Sequence, residues 1–173
     1  MRIQWMIRRD LPRVLEIEKL CYRYPWSEKD FVNYLTTKMC VGFTVSIERP
    51  SENYGRSDLV VGYMIYLLET KRLNLVNIAI HPEYQRQGFG KALIKKLINK
   101  MEQSRRNAIR TMTHECNLGA QLFLKKMGFK ANFIKRGVYK LGGTEGAEGA
   151  EGAEGSDGYC FSYVPPISVE EKI

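Results

Sequence analysis

Asn77-Ile78-Ala79-Ile80-His81-Pro82-Glu83-Tyr84-Gln85-Arg86-Gln87-Gly88-Phe89-Gly90-Lys91-Ala92 runs from an apolar strand through a turn into a helix. Leu73 to Ile80 has strand composition, and His81-Pro82-Glu83-Tyr84 is a turn. From Gly90 to Met101 the apolar residues Ala92, Leu93, Leu97, Ile98 and Met101 recur at helical spacing, with lysines between them. A strand that passes through such a turn straight into a helix points several backbone N–H groups outward, with the helix dipole behind them. Gly88 and Gly90 let that backbone approach a ligand closely. The predicted object is a cradle for a pyrophosphate. No Gly-Lys-Ser/Thr follows, so it is not a Walker loop, and it does not match the dinucleotide Gly-x-Gly-x-x-Gly pattern. Two glycines in a turn, taken alone, read more readily as the plain start of a helix.

Working outward toward the N-terminus, Leu59 to Leu68 and Val41 to Glu48 read as two more strands, with a polar hairpin loop over Arg49 to Asp58. Asp10-Leu11-Pro12 predicts a helix start, with Asp10 as N-cap and proline in the first turn. Leu11, Val14, Leu15, Ile17, Leu20 and Cys21 form its expected apolar face. Tyr24-Pro25-Trp26 ends it. Ser27-Glu28-Lys29-Asp30 then reads as a capping box, with Asp in the usual Glu/Gln place, opening a second helix through Phe31, Tyr34 and Leu35.

Toward the C-terminus, Ala108 to His114 is a short strand. Leu118 to Met127 is a helix ended by Gly128. Lys130 to Leu141 and Tyr159 to Val164 are the last two strands expected. Between those two lies Thr144 to Gly155, a Glu-Gly-Ala tract with glycine at every third position. It has no proline, which argues against a collagen helix, and Glu, Gly and Ala cannot bury a core, so a flexible hairpin insertion is expected there. The whole chain, 1–173, reads as one α/β domain: a mixed central sheet of about six to seven strands flanked by about four helices.

Composition narrows the function. Hydrophobic residues make up 44% and charged residues 27%, the balance of a water-soluble globular protein. No run approaches the ~18 apolar residues of a membrane-spanning helix, and the N-terminus lacks the apolar core of a secretory signal, so no membrane association is expected. Cys21, Cys40, Cys116 and Cys160 are scattered, and His81 and His114 are the two histidines, so no metal site is expected. Thiols in that pattern read as reduced, in a cytoplasm. The net charge is +8, but residues 1–141 carry 26 of the 27 Lys+Arg against 12 of the 19 Asp+Glu, a balance of +14. Such a body suits an anionic ligand or a surface working near nucleic acid, such as a ribosome; charge that merely maintains solubility reads the same way.

Gln85-x-x-Gly88-x-Gly90 after a strand, with Arg86 inside it and Pro82 before it, resembles the acetyl-CoA-binding motif of the GNAT acetyltransferase superfamily. The chain further resembles its RimI-like branch, protein N-terminal acetyltransferases that include the ribosomal-protein alanine enzymes. Asp10-Leu11-Pro12, Tyr24-Pro25-Trp26-Ser27-Glu28, Asn77-Ile78-Ala79-Ile80, Asn117 and Met127-Gly128-Phe129 all match that branch. The resemblance implies acetyl-CoA as cofactor. The backbone of Ile78, Ala79 and Ile80 would hold the acetyl-pantetheine arm, Arg86, Gln87, Gly88, Phe89, Gly90 and Lys91 the pyrophosphate, and Asn117 would touch the cofactor from across the site. It also implies direct attack of a neutral amine on the thioester, with proximity, carbonyl polarisation and proton transfer as the protein's tasks. The implied partner is a protein or peptide N-terminus, such as that of a ribosomal protein, with no direct nucleic-acid contact required. Oligomeric state is not specified.

The chain departs from that pattern where the branch keeps its acid and base. The position of the branch's Glu base is Met112, and the position of its Tyr acid is Leu124; neither side chain moves a proton. His114, two residues on and on the same strand face as Met112, is the candidate substitute base, since an imidazole titrates near 6.5; a strand-end histidine without a role is the other reading. Tyr139 matches the second of a tyrosine pair that contacts peptide in the branch, the first being Val138 here, with a plain strand tyrosine the other reading; Trp26 is a candidate for the substrate groove, with core packing the alternative. The departure also leaves open a small-molecule amine or lysine side chain as substrate, and a non-catalytic acyl-CoA-binding module.

Overall fold

The computed structural model describes residues 1–49, 57–139 and 156–166. The Glu-Gly-Ala tract and most of the predicted Arg49 to Asp58 loop lie outside the described residues. Among these residues seven strands form one mixed sheet: β1 (Arg2–Trp5), β2 (Cys40–Arg49), β3 (Ser57–Leu68), β4 (Arg72–Ile80), β5 (Ala108–His114), β6 (Lys130–Tyr139) and β7 (Ser156–Tyr163), in the spatial order β1-β2-β3-β4-β5-β7-β6. Among the described residues there are four α-helices: α1 (Leu11–Cys21), α2 (Glu28–Leu35), α3 (Phe89–Gln103) and α4 (Leu118–Lys126). The expected α/β class, strand number and helix number match this sheet. The sequence reading missed β1, a four-residue edge strand too short to show a period.

The helices sit in two layers. On one face, Leu11, Val14, Ile17 and Phe31 of α1 and α2 pack on Val60, Tyr63, Ile65 and Ala79. On the other, Leu93, Ile94, Leu97 and Met101 of α3 are wholly buried against Phe43, Met64, Leu73, Leu75 and Ile109. Truncating any of these four to Ala costs about 2–5 kcal/mol by the usual cavity penalty.

Two sequence expectations for α1 are corrected. Asp10 holds the N-cap position of α1 as expected, but its side chain makes no capping bond to that helix. Asp10 closes a 3-10 turn at Arg8–Asp10, and its Oδ2 accepts the Ile7 N–H at 3.0 Å. Leu20 faces solvent, 53% exposed, while Glu18 takes the buried slot at 1%. The predicted box at α2 is present: Ser27 Oγ accepts the Asp30 N–H at 3.3 Å, and Asp30 Oδ2 accepts the Ser27 N–H at 2.8 Å.

The feature that builds the site lies in β4. Ile65 pairs with Asn77, yet Tyr66 pairs with Leu75, so Val76 bulges out of the ladder. The extra residue exchanges the faces of the strand. Leu73 and Leu75 point to the α3 layer; beyond the bulge Ile78 and Ile80 do, while Asn77 and Ala79 turn to the α1 layer. β4 and β5 pair in parallel only from Arg72–Ala108 to Leu75–Thr111. There Thr111 Oγ1 donates to the Leu75 carbonyl at 2.9 Å, and beyond that point the two strands separate.

Candidate active site

The separation of β4 from β5 opens a cleft of ≈ 710 Å³. Its walls come from the end of α1, from β4, β5 and α4, and from the β6–β7 edge. Among the described residues, the edge of β4 facing β5 has no strand partner past Leu75. Side chains reach its carbonyls instead: Tyr22 Oη donates to Ile78 O at 2.6 Å, and Gln85 Nε2 and Cys21 Sγ donate to Ile80 O at 3.0 and 3.2 Å. In a strand, a residue's N–H and C=O point to one edge, so Ile78, which lines the cleft, and Ile80 both turn these groups to the edge away from β3. An extended amide-bearing ligand can bind this edge as a further strand would. Ala79, expected to share that role, is paired with Tyr63 of β3 and keeps its methyl in the α1 core.

At the end of β4 the chain turns into α3 as predicted. Gly88, the residue before α3, has φ +90°, and Arg86 has φ +62°. A Cβ on Gly88 would meet nothing within 4 Å. The glycine is therefore required by backbone conformation, and the space beside it is open to a ligand. Gly90 has a different reason: its Cβ would sit 3.3 Å from the Phe123 ring, so it is small because α3 packs there. Phe89 is buried in the core, Gln87 donates to the Glu83 carbonyl at 2.9 Å, and Arg86 and Lys91 are exposed at the helix start, where an anion is favoured.

The polar residues of the opposite walls fall into two groups. His114 and Tyr139 lie together, ring centroids 4.9 Å apart, both lining the cleft. His114 Nδ1 accepts the Cys116 N–H at 3.1 Å, so the neutral ring carries its proton on Nε2 and presents a donor there. Asn117 lines the cleft and caps α4, its Oδ1 accepting the Ala120 N–H at 3.0 Å. Met112 lies over Gly158 and lines the cleft with Leu124, an apolar patch.

The second group was not found from sequence. Glu18 is buried with neutral partners: Oε1 accepts the Trp26 N–H at 2.8 Å, Oε2 accepts from Tyr63 Oη, and Asn77 Nδ2 lies 3.4 Å from both oxygens. Burial pushes this carboxyl above the ordinary range, although those three donors pull it back. Glu18 thereby pins Trp26, which stacks on Tyr34 with centroids 4.5 Å apart and lines the cleft. Trp26 also packs edge-on against Phe31 in the α1 layer, as the core reading expects. Tyr22, one turn after Glu18, is held neutral by burial and by the nearby Glu18 charge, which raise its pKa. The available signal was a carboxylate on the apolar stripe, four residues after Val14 and four before Tyr22.

Comparison with known proteins gives the following. The pattern of the acetyltransferase (GNAT) family matches residues 11–129. The [ribosomal protein bS18]-alanine N-acetyltransferase of Escherichia coli K12 is 28% identical over 130 residues, covering 75% of this chain and 81% of that protein. The putative enzyme of that name in Bacillus subtilis is 24% identical over 139 residues, covering 79% and 85%. Among solved structures, the E. coli ribosomal-protein-S18-alanine N-acetyltransferase superposes with a TM-score of 0.73 at 24% identity, over 99% of this chain and 98% of that one. Arabidopsis thaliana NAA60 with acetyl-CoA superposes at 0.73 with 15% identity, over 94% and 97%.

Proposed function

This chain belongs to the acetyltransferase (GNAT) family, and from that premise we propose that it acetylates the N-terminal α-amine of a protein, such as a ribosomal protein, in the cytoplasm. It is an acetyl-CoA-dependent N-acetyltransferase. The observation that carries the substrate reading is the β5 wall, where Thr111, Met112, Thr113 and His114 line the cleft beside Arg110 with no carboxylate among them. A site so built does not attract a protonated amine and has no free carboxylate there to deprotonate one. An α-amine titrates near ~7.7–8.0 and is about one-third neutral at pH ~7.5, whereas a lysine near ~10.4 is neutral in only about one molecule per thousand. The N-terminal amine is the protein nucleophile that arrives in reactive form.

The chain's residues fit acetyl-CoA. The open β4 edge at Ile78 and Ile80 suits the amide-bearing arm. The open space beside Gly88 and the start of α3, with Arg86 and Lys91, suits its phosphates. When bound, acetyl-CoA supplies the acetyl group as an activated thioester. Ile78 N–H, on the cleft edge, is placed to polarise a carbonyl oxygen. Asn117, Tyr139 and Trp26 all line the cleft, and we assign Asn117 to the cofactor and Tyr139 and Trp26 to the incoming peptide. We assign His114 the role of a hydrogen-bond donor to the incoming peptide rather than of base, because its Nδ1 is already engaged. The test is a competition among N-terminal peptides, lysine peptides and small amines at equal concentration, read by mass spectrometry. Acetyl on the α-amines first is expected. Faster transfer to lysine or to a small amine overturns the reading.

A further inference from the structure

The last turn of α1 is laced to the open strand. Glu18 bonds the Asn77 side chain, Cys21 the Ile80 carbonyl, and Tyr22 the Ile78 carbonyl. We propose that Tyr22 is a catalytic hydroxyl of this acetyltransferase, standing at the reacting end of the cleft as the proton donor to the leaving sulfur. The proposal rests on acetyl transfer as the activity.

Position is the first ground. Ile78 O lies 2.6 Å from Tyr22 Oη, and the Ile78 N–H that polarises a carbonyl is on the same strand edge. The hydroxyl is therefore next to whatever that N–H holds. Rotation about Cζ–Oη turns its proton from the Ile78 carbonyl into the cleft without moving the ring. The surroundings are the second ground. Met112 and Leu124 make the neighbouring wall apolar, and the Thr111 hydroxyl is spent on Leu75 O. The third ground is rigidity. Glu18 is fixed by three donors from three segments, so the helix turn that carries Tyr22 is held against the strand it serves. Burial keeps the phenol neutral, the form that can donate.

The step balances. As the amine nitrogen forms the amide bond to the acetyl carbon and the C–S bond breaks, Tyr22 gives its Oη proton to sulfur. It recovers one from the proton the amine nitrogen loses.

The test compares the full chain with Tyr22→Phe. The first readout needs no turnover: the thiol of bound CoA is titrated through the ultraviolet absorbance of its thiolate. A hydroxyl donating to sulfur favours the thiolate, so the bound thiol in the wild type is expected to titrate about one pH unit below that in Tyr22→Phe. The second is kinetic: kcat falls about 100-fold, the low end for loss of a general acid, with KM for the amine within about twofold. Equal thiol titrations together with kcat within about threefold overturn the proposal. If Tyr22→Phe does not fold, the wild type decides alone, since a bound thiol that titrates as free CoA does also overturns it. Should the wild type acetylate no amine, the activity reading fails, while the thiol titration still judges Tyr22.

Discussion

Replacing Glu18 by Ala removes the acceptor at the centre of the α1–β3–β4 contact. Three buried donors lose a partner: the Trp26 N–H, bonded at 2.8 Å, the Tyr63 hydroxyl, and the Asn77 amide, 3.4 Å from both carboxylate oxygens. An orphaned buried donor costs about 1–3 kcal/mol. Tyr63 has a second acceptor in Asn77 Oδ1 at 3.2 Å, so its loss falls at the low end, while Trp26 gains no replacement within the network. The wild type also bears a desolvation penalty on the Glu18 carboxylate, which the substitution relieves. The net expectation is about 2–4 kcal/mol of destabilisation, a fall of roughly 5–15 °C in melting temperature for a chain of this size. Equilibrium denaturant unfolding measures it. A loss under about 0.5 kcal/mol, the range of an ordinary surface substitution, would refute the account of Glu18 as the tie between helix and sheet. The pH dependence provides a second check with Glu18→Gln, which keeps an oxygen for Trp26. Glu18 is raised in the folded protein, so the folded state binds that proton more tightly than the unfolded chain does. Its contribution is present in full below the ordinary carboxylate range, near ~4.3, and is lost as pH rises through the elevated value. The wild type should therefore lose stability relative to Glu18→Gln across that window. A relative gain would show the carboxylate to be stabilising as a charge.

Gly88→Ala places a side chain at φ +90° and should cost about 1–2 kcal/mol in denaturant unfolding; acetyl-CoA affinity measured by calorimetry should fall with it, and unchanged affinity would move the phosphate cradle elsewhere. Thiol labelling at pH ~8, just below the reference thiol value of ~8.5, should modify exposed Cys116 first, because burial pushes Cys21 and Cys40 up to about 11. Labelling of Cys21 as fast as Cys116 would show the α1–β4 contact to be open in solution. His114→Ala should lower kcat/KM less than about tenfold, since a lost general base costs about 100-fold or more; a fall of that larger size would restore His114 as base.

How much was legible follows from the kind of information each element needs. The strand–turn–helix at Asn77 to Ala92 could be read directly because its parts are local: strand composition, a turn residue and a helical period within sixteen positions. The capping box at Ser27 and the helix end at Gly128, with φ +89°, were legible for the same reason. Leu20 was misplaced, and Glu18 passed over, because a helical stripe is broad, and the edge of it that is buried depends on which sheet residues wait beneath. Here a Tyr63 hydroxyl and an Asn77 amide wait there, and neither is visible from α1.

The sequence by itself determined the elements other than β1, the glycine turn and the apolar character of Met112 and Leu124. Tertiary structure alone decided the site's polarity. Strand side chains alternate with a period of two, so one bulged residue at Val76 exchanges both faces of all that follows. That exchange sends Asn77 to Glu18 while Ile78 and Ile80 pack toward α3. The parting of β4 from β5 leaves the Ile78 carbonyl to Tyr22, a residue 56 positions away. Register and strand separation arise from pairing between distant segments, and no local pattern in this chain carries them.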